Sequence, residues 1–239
     1  MVDPAGPADV ATREGLHQVA VHVLARRRHA VTGRFGLRPA PGGLATPVFG
    51  ADEVVRLSGA TLVVERGGET RAEPLTTLGR AADLVGVDLA APFSVGADTP
   101  VAVDPDAPLA IDAAAARVLG DWWALGAALV DEVVGAGHAD GSVAAATAAQ
   151  VWPEHFDHAT TLTLGGPGGP KVNVGASPGD GGEPGPYLYV GPWDAARPGD
   201  PAYWNAPFGA VLRRADGPGR AEALAFLRRG LGYLAPQRT

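Results

Sequence analysis

The chain reads as an α+β protein, with antiparallel sheet(s) and helices packed on one face. Three observations lead there. Val54–Leu57 and Thr61–Arg66 flank Ser58-Gly59-Ala60, the pattern of a hairpin closed by a glycine-containing turn. Ala159–Leu164, Lys171–Ala176 and Tyr187–Val190 are β-rich runs whose Gly-rich connections leave no room for a crossover helix, so they must run antiparallel. Helical periodicity falls in separate blocks, near 9–31, 113–135 and 219–235, instead of alternating with each strand.

The first block repeats Leu16, Val19, Ala20, Val23, Leu24 and Ala30 at helical spacing and stops at Gly33. His17 and His22 sit on it five residues apart. At about 100° per residue that is a separation of about 140°, so they are expected on different faces, packed and not sharing an ion. Arg26-Arg27-Arg28 falls near the helix end, where cations complement the dipole. Short strands are expected at Arg34–Arg38 and Leu44–Phe49, parted by Pro39-Ala40-Pro41-Gly42-Gly43. Thr76 or Thr77 can cap a short helix that ends at Gly86. Phe93–Pro108 is rich in Pro and Asp and reads as a connector, since Asp98, Asp104 and Asp106 lack the spacing of a calcium loop.

Asp112 is a suitable N-cap for the second block, whose inward stripe is read as Val118, Leu119, Trp122, Leu125, Leu129 and Val133. Trp123 lies about 100° round from Trp122, so one indole is expected in the core and the other at its margin, and Gly135 and Gly137 are expected to end the helix. The Ala-rich Ser142–Gln150 suggests one more short helix. Leu224, Leu227, Leu231 and Leu234 face inward in the last block. The expected organisation is a single domain of two lobes, about 1–98 and 110–239, joined by the Pro/Asp-rich segment.

The 239 residues can bury a sizeable core without metal or disulfide, and there is no cysteine to supply thiolate chemistry. A net charge of −7 has the wrong sign for a nucleic-acid surface. Met1-Val2-Asp3-Pro4 lacks a signal-peptide pattern, and Asp131 and Glu132 break the longest apolar run. The expectation is a cytoplasmic protein with no membrane partner; cofactor and oligomeric state stay open. Lys171 is the only lysine among 19 Lys and Arg residues, which reads as coding bias.

Trp152-Pro153-Glu154-His155-Phe156-Asp157-His158 is the densest polar cluster. If a strand starts at about His155, period two puts His155 and Asp157 on one face as an imidazole–carboxylate pair, with Phe156 and His158 towards the core. His155 would then act as general base with Asp157 orienting it. A helical turn would instead group His155 and His158 with Glu154 or Asp157 as metal ligands, and a plain helix-to-strand turn explains the same residues. Asn173, Tyr187, Tyr189, Trp193 and Asp180 are candidate ligand-binding groups beside the last strands. The Gly-rich loop 175–182 matches no phosphate-binding pattern, and Ser177 lacks the nucleophile-elbow context. Three functions stay open: binding of a small polar ligand in a cleft beside the C-terminal strands, hydrolysis through His155, and assembly through Trp193, Tyr203 and Trp204.

Trp152-Pro153-x-His155-Phe156-Asp157, then Tyr187-x-Tyr189-Val190-x-Pro192 and Leu224-Ala225-Phe226-Leu227, resembles bacterial families of unknown function that carry a Trp-Pro-x-His-Phe-Asp signature. The resemblance covers residues 150–235 and implies no activity and no functional residues.

Overall fold

The computed structural model describes residues 7–235; the Met1-Val2-Asp3-Pro4 opening lies outside them. The fold is α+β, with two antiparallel sheets. The chain divides into two compact units, residues 7–124 with Gln150–Asp157, and Leu125–Ala149 with residues 158–235. Pro100–Pro108 lies inside the first.

In the first unit, α1 (Pro7–Val19) runs through a π-helical segment (Ala20–Ala25) into α2 (Arg26–Thr32), which ends on left-handed Gly33. The sheet is a simple meander, β1 (Arg38–Ala40), β2 (Gly43–Ala45), β3 (Val54–Ser58), β4 (Thr61–Arg66) and β5 (Glu69–Pro74), each strand beside the next in sequence. Helix α3 (Leu78–Val85) starts where Thr77 Oγ1 accepts the Arg80 amide at 3.2 Å. Leu16, Val19, Val23 and Leu24 pack with Leu44, Val55, Leu57, Leu62, Val64, Leu78 and Val85 as one core. The edge strand β5 carries Glu69, Arg71 and Glu73, charges that discourage pairing with another chain.

Several local expectations change here. Residues 34–37 are not a strand: the Pro-Gly stretch read as a separator is itself the hairpin, with Gly42 at φ 77°. The strand β5 escapes a hydrophobicity pattern because it is exposed almost throughout. His22 lies near enough that its charge adds to the disfavouring of protonated His17.

Helix α4 (Ala113–Asp140) begins with Asp112 Oδ1 accepting the amides of Ala114 and Ala115 at 2.9 and 2.8 Å. It continues past Gly135 and Gly137 to a left-handed Gly141. Trp122 and Trp123 are both buried, whereas Val118 and Leu125 are exposed. The buried arc interleaves glycines with the large apolar residues. A Cβ at Gly120 would lie 2.7 Å from the Gly42 carbonyl carbon, at Gly126 2.3 Å from Ala176 Cβ, and at Gly137 2.4 Å from Val143 Cγ2. Close backbone approach at these glycines acts with the buried Leu119, Trp122, Trp123 and Leu129 to set which face turns inward. α4 is also the described helix whose length and hydropathy would suffice to cross a membrane, and half of its most apolar window is buried in the protein.

The second unit holds β6 (Val143–Ala146), β8 (Asp157–Leu164), β9 (Lys171–Ser177), β10 (Tyr187–Pro192) and β11 (Ala210–Arg213), in the order β11-β10-β9-β8-β6. Between β6 and β8 in the chain lies β7 (Gln150–Trp152), in the first unit, where Leu37 and Val151 exchange both backbone hydrogen bonds at 2.9 and 2.8 Å. The Ala-rich 142–150 is therefore extended and not helical; pairing with β8 overrides alanine's local preference. Helix α5 (Arg220–Leu234) closes the unit with Leu224, Leu227 and Leu231 buried.

Candidate functional site

The 152–158 cluster is split by one backbone feature. Phe156 has φ 61°, a left-handed conformation that costs a bulky residue roughly 1–2 kcal/mol. Its surroundings hold it there. The Phe156 amide donates to Trp152 O at 2.7 Å, and Trp123 Nε1 donates to Phe156 O at 3.2 Å. The ring stacks on His17 and meets Trp123 edge-on. Residues 153–156 thus form a turn, and β8 starts at Asp157.

His155 therefore precedes the strand, and strand parity does not pair it with Asp157. The His155 side chain is half exposed, 3.3 Å from Glu154 and 4.0 Å from Asp98. Asp157 is buried, on the same strand parity as Ala159 and Thr161. His158 is 3% exposed on the opposite parity, and burial lowers its pKa against the raising influence of Asp131. Among the described residues no group of three or more His, Asp or Glu side chains is placed to share a metal ion.

The ligand-binding candidates do come together. Register places Tyr187 opposite Ser177, Tyr189 opposite Gly175, and Gly191 opposite Asn173; Asn173 in turn faces Thr161, and Lys171 faces Thr163. These residues share one face, while His158, Leu162, Val172, Val174, Ala176, Leu188 and Val190 take the other, buried one. Asn173 Oδ1 accepts from Thr161 Oγ1 at 2.8 Å and from Trp193 Nε1 at 2.9 Å. Tyr187 donates to Asp180 Oδ2 at 2.5 Å, and Asp180 Oδ1 accepts the Gly182 and Glu183 amides, so that loop is pinned by its own aspartate.

Tyr189 lies across Gly175, where a Cβ would come within 2.8 Å of its Cε1. Phe208 joins Tyr187 and Tyr189 at centroid distances of 6.4 and 6.1 Å. At Gly191 an added Cβ would sit in ordinary contact with Phe208 and Tyr189, at 3.8 and 3.9 Å. Lys171 Nζ stands 4.8 Å from the centre of the Trp193 ring. Thr161, Lys171, Gly191 and Phe208 were not singled out as site residues in the sequence; the lone lysine was the available signal.

Trp193 is 60% exposed, but Tyr203 and Trp204 fold inward. Tyr203 donates to Phe226 O at 2.9 Å and packs on Tyr233, and Trp204 donates to Pro198 O at 2.8 Å. In the first unit, Val64, Arg66, Glu69, Arg71 and Leu84 line a cavity of about 110 Å³, below the several hundred Å³ of ordinary ligand pockets. No family model, curated protein or solved structure matches the chain.

Proposed function

We propose that the chain binds a small polar ligand on the open face of β8, β9 and β10. One observation carries this reading: Asn173, Tyr189 and Trp193 share one strand face, with the Trp193 indole hydrogen-bonded to Asn173 beside the bare Gly191. Aromatic walls with a few fixed polar groups are the usual make-up of small-molecule sites. Trp193, just after β10, and Phe208, just before β11, are large apolar side chains left 60% and 47% exposed, a cost that a ligand would relieve. Asn173 is held by two hydrogen bonds from its own sheet, so it is pre-oriented before a ligand arrives.

The test is a melting-shift panel of small polar molecules, spanning cations, neutral sugars, amides and anions, run on the wild-type chain and on W193A. Binding raises the melting temperature in proportion to occupancy. At least one compound should stabilise the wild type and fail to stabilise W193A, a truncation at a side chain that is 60% exposed. A panel without a shift, or with shifts that survive in W193A, rejects the proposal.

A further inference from the structure

We infer that Asn205 guards the outer edge of β11 against strand addition by a second copy of the chain. The inference is independent of the ligand-binding face.

β11 is the last strand on its side of the second sheet, so one of its edges has no strand beside it. Val211 lies across from Tyr189 of β10. Its amide and carbonyl both bond to the Asn205 side chain, so they point away from β10, and Arg213 two residues on turns its backbone the same way. Such an edge is a template for the backbone of another chain. At the edge of the first sheet β5 carries Glu69, Arg71 and Glu73. β11 is Ala210-Val211-Leu212-Arg213, with no proline and a single charge at its end. Side-chain charge protects it little.

The residues leading into β11 supply the protection. Ala206 and Gly209 exchange backbone hydrogen bonds at 3.0 and 3.1 Å around Pro207-Phe208, so the chain ahead of β11 lies beside it as the stub of a further strand. Continued in that register, the Trp204 backbone would pair with Val211. Instead the Trp204 amide donates to Pro201 O at 3.3 Å, and the backbone leaves the edge. Asn205 fills the place given up. Its Oδ1 accepts the Val211 amide at 2.8 Å and its Nδ2 donates to Val211 O at 3.1 Å. A side-chain amide presents the same donor and acceptor as a peptide group, so these are the two bonds that a neighbouring strand would make. Tyr203, anchored on α5 by its hydroxyl bond to Phe226 O, fixes the chain just before it. Asn205 itself is exposed, so the edge it covers opens to solvent if the side chain is shortened.

The uncovered edge fits its own copy. Two β11 strands laid antiparallel about Leu212 put Leu212 opposite Leu212 and Val211 opposite Arg213, so no like charges face each other. Each Val211 would then regain from the backbone of Arg213 in the other copy the two bonds lost with Asn205.

The test compares the full-length wild type, N205A and N205A/V211P by sedimentation and by amide exchange over a concentration series. A ladder this short is weak, so N205A should associate reversibly at about 0.1–1 mM, beyond any association of the wild type. Exchange at the Val211 and Arg213 amides should slow as it does. Proline at 211 removes the outward donor and leaves the bonds between β10 and β11 untouched, so N205A/V211P should behave as the wild type.

Association of N205A no greater than that of the wild type, or association that survives V211P, overturns the inference. So does a wild type whose Val211 amide already slows with concentration, since its edge would be open. Should N205A fail to fold, N205S, too short to span both groups of Val211, is read in its place. Unfolding of both would give Asn205 a role in folding and overturn its role as a guard.

Discussion

His17 lies flat on Phe156, ring centres 4.6 Å apart and planes 11° from parallel, with its Nε2–H donated to Pro153 O at 2.6 Å. The stack clamps α1 to the turn ahead of β8. Burial, then reinforced by His22, Arg13 and His155, lowers its pKa to about 4 from 6.5, against the hydrogen bond to Pro153, which raises it. The folded-state value lies below the unfolded one, so the stability is whole above pH 6.5. It drains as pH falls from 6.5 to about 4 and changes no further below that. The loss from this group is at most roughly 3 kcal/mol. Urea denaturation of wild type and H17F between neutral and mildly acid pH checks it: H17F, which keeps the stack, should be less sensitive across that window. His22, lowered in the same direction by burial, leaves H17F some residual slope.

Glu53 is 6% exposed and receives paired hydrogen bonds from both Arg27 and Arg66, all at 2.8–2.9 Å. Burial alone would raise its pKa, but the two guanidiniums outweigh it and the carboxyl titrates below its ordinary range. E53Q leaves two cations facing each other, and should cost roughly 2–4 kcal/mol, the low side of a buried pair because Arg66 is half exposed. Chemical denaturation at neutral pH reads the difference, which should shrink as acid protonates the wild-type carboxyl.

Two glycines of α4 should respond oppositely to alanine. At Gly126 the new methyl would come within 2.3 Å of Ala176 Cβ, so G126A must push the helix off the sheet, at roughly 1–3 kcal/mol. At Gly135 nothing lies within 4 Å, and G135A should gain roughly 0.5–1 kcal/mol from helix propensity. Melting temperatures of the two single variants decide this; a destabilised G135A would mean that its surface is occupied in solution.

His158 Nδ1 is buried without a hydrogen-bond partner among the described residues. A polar atom in that state costs about 1–3 kcal/mol. H158L should therefore be neutral to stabilising at pH 7 and should remove one acid-sensitive contribution, as seen by denaturation at two pH values. Marked destabilisation would show that the imidazole has a partner in solution, such as a bound water.

Local chemistry in the sequence was enough for the fold class, for a helix cap at Thr76 or Thr77 and one at Asp112, for the hairpin at Gly59 and for the C-terminal meander, while the structure chose Thr77. Period two also put Asn173 and the tyrosines within one strand set. What sequence pattern could not reach was anything decided by a partner distant in the chain. The left-handed Phe156 depends on Trp123 and His17, and by ending the turn there it keeps His155 out of β8. The rotation of α4 depends on glycines meeting Gly42, Ala176 and Val143. The sheet face that gathers Lys171, Asn173, Gly191 and Trp193 depends on cross-strand register, and so does the strand at 143–146. Propensity and periodicity follow the chain's neighbours along the backbone, whereas close approach and register are set through space.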